Sequence, residues 1–152
     1  MSDTLEKLSL KQQIYLETIY ELSEEHGHAH VKDIAERLSN RMPSVTEAMR
    51  KLSTIGLINY DVRKNVSLTE KGEKIASELD KRHGVLADFF SKVLGCSRKK
   101  ADDFACRVEH VVDSEFCDRL AEFASFVRAK ADQGEHNIIK EFQETYKPEE
   151  KK

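Results

Sequence analysis

The feature that most constrains the fold is a change of hydrophobic period in the stretch LINYDVRKNVSLT. Before it, apolar residues recur every three to four positions, which is typical of amphipathic α-helices. Within it they alternate, with Ile58 and Tyr60 before RKN and Val66 and Leu68 after it. Alternation on both sides of a short polar segment predicts two antiparallel strands joined as a hairpin. The chain therefore changes from helices to a hairpin, and the helical period returns after it.

Three helical segments precede the hairpin. Ser9 and Gln12 have the spacing of a capping box in front of the first helix, LKQQIYLETIYELSEE, and Gly27 is expected to end it. The second, HVKDIAERLS, is short and amphipathic. The third, NRMPSVTEAMRKLSTIGL, has Pro43 near its start and Gly56 as its expected end. The order helix, helix, turn, helix, hairpin is that of a winged helix-turn-helix domain.

The remainder of the chain is predicted to be helical. A long helix is expected from Thr69 to Gly95, followed by helices in RKKADDFACRVEHVV, EFCDRLAEFASFVRAK and IIKEFQETY. The predicted fold class is mainly α. A winged helix-turn-helix domain occupies residues 1–73, a helical domain follows at 74–146, and a charged tail covers 147–152.

Composition limits the classes of function. The 152 residues allow one domain or two small ones. No apolar run approaches the roughly 20 residues that span a bilayer, and the N-terminus has no signal-peptide core, so we expect a cytoplasmic protein without membrane contact. The net charge of −3 gives no global signal for nucleic-acid binding. Any such signal must be local.

The local signal lies at the start of the third helix and in the hairpin. A recognition helix enters the major groove with its N-terminal end, which in this chain reads RMPSVTE. The candidate DNA-binding residues are Arg41, Pro43, Ser44, Thr46, Glu47 and Arg50 in the helix, and Arg63, Lys64 and Asn65 in the hairpin. The basic excess there is modest, and winged helices also serve protein contacts, so the fold alone does not establish DNA binding.

The stretch CRVEH predicts a metal site. On a helix, Cys106, Glu109 and His110 are spaced i, i+3 and i+4 and share one face. A thiolate, a carboxylate and an imidazole suit a divalent transition metal. Three ligands seldom complete a coordination sphere. The candidates for the remaining ligands are His83, then Glu17, then Asp102.

Two other functions are consistent with these residues. Cys106 and His110 could pair as nucleophile and base in an enzyme, with Glu109 as the acid, although no glycine-rich loop accompanies them and their geometry on one helix is poor. The protein could also be a winged-helix regulator that responds to a non-metal ligand or to a partner protein.

Taken together, the motifs resemble those of the diphtheria toxin repressor and manganese transport regulator family of metal-dependent bacterial repressors. YLETIYEL resembles the family's first helix, and VKDIAERLSNRMPSVTEAMRKLSTIGLI resembles its helix-turn-helix. LTEKGEKIASELDKRH is similar to its wing exit and linker helix, and ACRVEHVVDSE to its metal-site helix. The likeness extends to about Phe142. It implies a repressor of iron or manganese homeostasis: a homodimer that binds a palindromic operator on double-stranded DNA when its helical metal-binding and dimerisation domain is loaded.

The chain combines features of both branches of that family. Its length matches the short manganese branch, and Glu17 matches a ligand of that branch, whereas Cys106 matches the cysteine of the iron branch. Ile14 replaces a residue that ligates in both branches, and isoleucine cannot bind a metal. Asp102 and Ala87 stand where the iron branch has a His and a Glu of its second site, so a complete second site is not expected. Because a thiolate ligand shifts the metal preference of a site towards iron, we expect Fe(II) as the cofactor, with Mn(II) second.

Overall fold

The computed structural model describes residues 2–61, 65–133 and 137–146. The chain is mainly helical, as predicted, and divides into two compact units, Met1–Asp80 and Lys81–Lys152. The elements are α1 (Ser2–Glu6), α2 (Leu10–His26), α3 (Val31–Arg37), α4 (Met42–Thr54), β1 (Ile58–Asn59), β2 (Ser67–Leu68), α5 (Glu70–Asp88), a π-helical turn (Phe89–Val93), α6 (Arg98–Val108), α7 (Ser114–Gln133) and α8 (Ile138–Thr145). None of the helices in the described ranges is long and apolar enough to cross a membrane.

The predicted ends of α2 are confirmed. The Ser9 hydroxyl accepts a hydrogen bond from the backbone N–H of Gln12 at 3.3 Å, and the Gln12 side chain accepts one from the backbone N–H of Ser9 at 2.9 Å. This reciprocal pair is the capping box. Gly27 ends the helix in the left-handed region, at φ 77°, and its N–H donates to the carbonyl of Ser23 at 2.8 Å.

A single apolar core holds the first unit together. Six of its side chains, from α2, α3 and α4, are completely buried: Leu16, Ile19, Ile34, Val45, Met49 and Leu52. At the surface, Arg37 of α3 pairs with Glu25 (2.6 Å) and Glu21 (3.3 Å) of α2. Exposed ion pairs contribute at most about 1 kcal/mol each, so the core determines how α3 and α4 are held against α2.

The turn between α3 and α4 contains a non-glycine residue in the left-handed region. Ser39 has φ 51°. Its N–H donates to the carbonyl of Glu36 at 3.1 Å, and the N–H of Asn40 donates to the carbonyl of Ala35 at 2.9 Å. Such paired bonds close many helices, but the residue in the left-handed conformation is usually glycine. A side chain there costs roughly 1–2 kcal/mol.

Replacing Ser39 with glycine is therefore expected to stabilise the first unit. The relief of roughly 1–2 kcal/mol is partly offset by the roughly 0.5–1 kcal/mol of extra chain entropy that glycine loses on folding. We expect a net gain of about 0.5 kcal/mol in the free energy of unfolding, measured by urea denaturation followed by circular dichroism. Ser39→Ala keeps the Cβ atom and should give no gain. An equal gain in both variants would show that the Cβ atom is not the cause.

The predicted hairpin is confirmed. β1 and β2 are antiparallel, with Ile58 opposite Leu68 and Asn59 opposite Ser67. The N–H of Val66 also donates to the carbonyl of Ala29 at 2.8 Å, which ties the hairpin to the segment between α2 and α3. The tip residues at 62–64 lie outside the described residues.

The second unit departs from the predicted helices at two places. The helix expected from Thr69 to Gly95 is present, but its last turn, Phe89–Val93, is π-helical before Gly95 turns the chain at φ 73°. Phe89 and Phe90 in that turn pack on different helices, against Phe123 (6.4 Å between ring centroids) and Phe104 (5.9 Å) respectively. The second departure is that α6 ends at Val108, whereas the apolar pattern predicted helix to residue 112.

Candidate metal centre and DNA-binding surface

The end of α6 places Glu109 in the interior of the second unit. Ala101 and Ala105 lie on the buried face of α6. The N–H of Glu109 donates to the carbonyl of Ala105 at 2.9 Å, so the helical hydrogen-bond pattern extends to Glu109. Glu109 has helical backbone angles (φ −55°, ψ −29°) and is 0% exposed. A completely buried carboxylate is rare in proteins unless it is paired or binds a cation.

His83 of α5 contacts this carboxylate. Its Nδ1 lies 2.7 Å from Oε2 of Glu109, and its Nε2 lies 3.8 Å from Oδ1 of Asp102. An ionised carboxylate only accepts hydrogen bonds, so a neutral His83 donates from Nδ1 and keeps a lone pair on Nε2. A histidine oriented by a carboxylate in this way is typical of metal-binding sites.

The second oxygen of Glu109 has no hydrogen bond. Among the residues that the structure describes, Oε1 is the buried side-chain polar atom that no donor satisfies. Nε2 of His110 lies 3.3 Å away, without completing a hydrogen bond to it. A buried acceptor left in this state costs about 1–3 kcal/mol, which a cation bound beside it would remove. The donor set thus fits a divalent metal.

His110 is in the protonation state that binds metals. Burial lowers the pKa of its imidazole below the ordinary value; the Glu109 carboxylate opposes this effect, and the charge of Arg82 adds to it. Because the ordinary pKa of histidine is already about 6.5, His110 is neutral near pH 7. Neutral imidazole is the form that coordinates a metal ion.

Three further ligands were predicted, Asp102, Cys106 and Glu17. Asp102 is half-buried and pairs with Arg98 at 3.4 Å. Cys106 is exposed on α6, and within the described ranges its sulfur belongs to no group of three or more ligand atoms that lie within 4.8 Å of one another. Glu17 is half-buried on α2, in the first unit. Within the second unit, the structure brings together His83, Asp102, Glu109 and His110.

One functional candidate was missed by the sequence reasoning. Arg82 is only 4% exposed, and its guanidinium donates to the carbonyl of Val112 at 2.6 Å and to the hydroxyl of Ser114 at 3.0 Å. A signal was available, because Arg82 lies three residues after Leu79 and four before Leu86, on the buried stripe of α5. A charge on such a stripe is the exception that calls for an explanation.

The predicted recognition helix is α4. Val45, Met49 and Leu52 are buried along one face, whereas Glu47, Arg50 and Lys51 between them are exposed. Arg41, Pro43, Ser44, Glu47 and Arg50 are exposed, and Thr46 is half-buried. In the hairpin, Asn65 is exposed, whereas Arg63 and Lys64 lie outside the described residues.

Glu47 has a partner on its own helix. Its carboxylate lies 2.7 Å from Nζ of Lys51, and that hydrogen bond lowers the pKa of the Glu47 carboxyl below its ordinary value. Glu47 is therefore ionised, and a carboxylate can accept a hydrogen bond from the amino group of cytosine. A winged helix with an exposed recognition helix, in a chain that also has a buried centre of histidines and carboxylates, defines a metal-responsive DNA-binding regulator.

Comparisons with known proteins agree with this class. The model of the iron dependent repressor N-terminal DNA binding domain matches residues 7–66, and that of the iron dependent repressor metal binding and dimerisation domain matches residues 69–137. The HTH-type transcriptional regulator MntR of Bacillus pumilus is 36% identical over 112 residues, covering 74% of this chain and 77% of that protein. The chain belongs to the iron-dependent repressor family. Its function is metal-dependent transcriptional regulation rather than catalysis, and the alternative functions are not favoured.

Solved structures show the same relationship. The manganese regulator SloR is 33% identical with a TM-score of 0.65, over 76% of this chain and 54% of that one. A manganese-dependent transcriptional repressor in complex with manganese is 28% identical with a TM-score of 0.69, over 76% of this chain and 53% of that one. The chain spans about half the length of these two proteins.

Proposed function

We propose that this protein senses Mn(II) or Fe(II) and, when loaded, binds a palindromic operator as a homodimer and represses genes of metal homeostasis. The observation that carries the proposal is Oε1 of Glu109, a buried carboxylate oxygen without a hydrogen bond, beside two imidazoles in a chain with a winged helix. A bound divalent cation supplies the positive charge that this oxygen lacks.

The proposed ligands are Glu109, His110, His83, Asp102, Glu17 and Cys106. Glu109, His110 and His83 form the centre, with Asp102 next to His83. Glu17 and Cys106 are added on the resemblance, because each matches a ligand position in one branch of the family. We propose that the metal-loaded dimer holds its two recognition helices at a spacing of one DNA turn or a multiple of it. Metal and DNA would then tighten each other's binding by the same factor, typically worth ~1–3 kcal/mol.

We propose Mn(II) as the first metal and Fe(II) as the second. The sequence favoured Fe(II) because of the Cys106 thiol, but that side chain is exposed and outside the group of nitrogen and oxygen donors around Glu109. Carboxylates and imidazoles without a thiolate suit Mn(II). Two proteins of similar structure, the manganese regulator SloR and a manganese-dependent repressor, support this order.

The DNA-binding part of the proposal rests on α4 and the hairpin in residues 1–73. The proposed contacts are Arg41, Pro43, Ser44, Thr46, Glu47, Arg50, Arg63, Lys64 and Asn65. Residues 74–146 would form the dimer. The match to a dimerisation domain supports this, as do three exposed phenylalanines of α7, Phe116, Phe123 and Phe126. A two-fold dimer presents two α4 helices and so favours an inverted repeat.

A DNA-binding titration tests the proposal. Duplexes are selected from a random library with Mn(II), and separately with Fe(II) under anaerobic conditions, and affinity is measured by fluorescence anisotropy with Mn(II), Fe(II), Zn(II) or chelator. We expect the chelator to weaken binding about 5- to 150-fold, in line with a coupling of ~1–3 kcal/mol. We also expect the selected duplexes to be inverted repeats. Equal affinity with metal and with chelator would refute metal control.

A further inference from the structure

Arg82 is a buried cation that the proposed mechanism does not use. It lies on α5 directly before His83 and is 4% exposed. Removing a guanidinium from water costs free energy that a leucine at the same position of the stripe would not cost. Such a group usually persists because its hydrogen bonds do something that an apolar side chain cannot do.

The hydrogen bonds of Arg82 hold the segment that carries the metal centre. Nη1 donates to the carbonyl of Val112 at 2.6 Å, and Nη2 donates to the hydroxyl of Ser114 at 3.0 Å. Between these two acceptors lies Asp113, whose carboxylate accepts from the N–H of Phe116 at 2.7 Å and thereby caps α7. The guanidinium therefore fixes the downstream end of the turn at residues 109–114.

The upstream end of the same turn contains the centre itself. Glu109 and His110 follow α6 directly, and the N–H groups of Val111 and Val112 donate to the carbonyl of Val108 at 2.9 and 3.2 Å. Because His83 and Arg82 are neighbours on one helix, a single turn of α5 contacts both ends of the segment: His83 at Glu109 and Arg82 at Val112.

We infer that Arg82 is a positioning residue for the metal centre, which holds the 109–114 turn in its binding geometry before any metal is present. The inference rests on the proposed function, because the centre is the one proposed there. The planar fork is the essential property: two nitrogens of one rigid group reach two acceptors, whereas the single nitrogen of lysine keeps the charge without the fork.

The test compares Arg82→Lys, Arg82→Gln and Ser114→Ala in the full chain. Hydrogen exchange of the Val111 and Val112 amides is measured without metal, and Mn(II) affinity by calorimetry. We expect at least about tenfold faster exchange and a 10- to 100-fold weaker Mn(II) affinity in both Arg82 variants, the range found when groups that orient metal ligands are removed. Ser114→Ala removes one of the two bonds and should show a smaller change in the same direction.

Arg119→Gln is the matched control, because Arg119 is exposed in the same unit and pairs along its own helix with Glu115 at 2.9 Å. It should leave both measurements unchanged. Wild-type exchange and affinity in Arg82→Lys would overturn the inference, since charge alone would then suffice. If the wild type binds neither Mn(II) nor Fe(II), the proposed function fails, while the exchange rates without metal still decide the role of Arg82. Ser114→Ala keeps the inference testable if the Arg82 variants do not fold.

Discussion

Glu109→Gln is expected to weaken Mn(II) binding at least about 100-fold while leaving the metal-free protein no less stable than the wild type. A factor of 100 corresponds to about 2.7 kcal/mol. The amide retains an oxygen that can accept the bond from Nδ1 of His83, now 2.7 Å from the carboxylate. The amide nitrogen replaces Oε1, which lies 3.3 Å from Nε2 of His110, and it can donate a hydrogen bond towards that nitrogen. The substitution thus removes an unsatisfied buried acceptor together with the charge that would bind the metal.

A loss of Mn(II) affinity without a loss of stability distinguishes a metal ligand from a structural residue. Calorimetric titration with Mn(II) gives the affinity, and urea denaturation in chelator gives the stability. Glu115→Gln is the control, because Glu115 is 74% exposed in the same unit and its pairing with Arg119 is a surface ion pair. It should change neither quantity. If Glu109→Gln instead unfolds the metal-free protein and binds Mn(II) as the wild type does, Glu109 is a structural residue and not a ligand.

The sequence predicted elements whose ends are determined by local chemistry. The capping box at Ser9 and Gln12, the left-handed glycine at position 27 and the alternating strands around RKN all depend on residues close together in the chain. The π-helical turn at Phe89–Val93 was not predicted, because its phenylalanines pack on rings from α6 and α7, far along the chain. Apolar periodicity carries no information about such partners.

The metal centre was predicted in part for a similar reason. Glu109 and His110 are consecutive in the chain, so any backbone conformation keeps them close, and His83 of α5 contacts Glu109. The i, i+3, i+4 argument assumed that the helix continued, but α6 ends at Val108 and Cys106 faces solvent. Arg82 was missed because its role depends on where the turn after α6 folds back, which no local pattern encodes.

Gly72→Ala is expected to destabilise the first unit by about 3 kcal/mol or more. Helix propensity alone predicts the opposite effect, since glycine costs up to about 1 kcal/mol relative to alanine inside a helix. In the structure, however, a Cβ atom at Gly72 would lie 2.0 Å from the carbonyl oxygen of Leu57. That oxygen cannot move away freely, because it accepts the N–H of Thr69 at 3.0 Å, directly before α5 begins. Overpacking against fixed backbone costs more than the helix propensity returns.

Gly84 of the same helix provides the matched control. It has ordinary helical backbone, and a Cβ atom there would meet nothing within 4 Å, so Gly84→Ala should stabilise the protein by about 0.5–1 kcal/mol. Urea denaturation measures the stability of both variants, and binding assays measure their affinity for DNA and for Mn(II). Gly72→Ala should lose operator binding, because the hairpin and α5 share the Leu57 contact, yet retain Mn(II) binding by Glu109 and His110 in the second unit. If both substitutions raised the free energy of unfolding, helix propensity alone would explain the result, and the close approach to Leu57 would not affect stability.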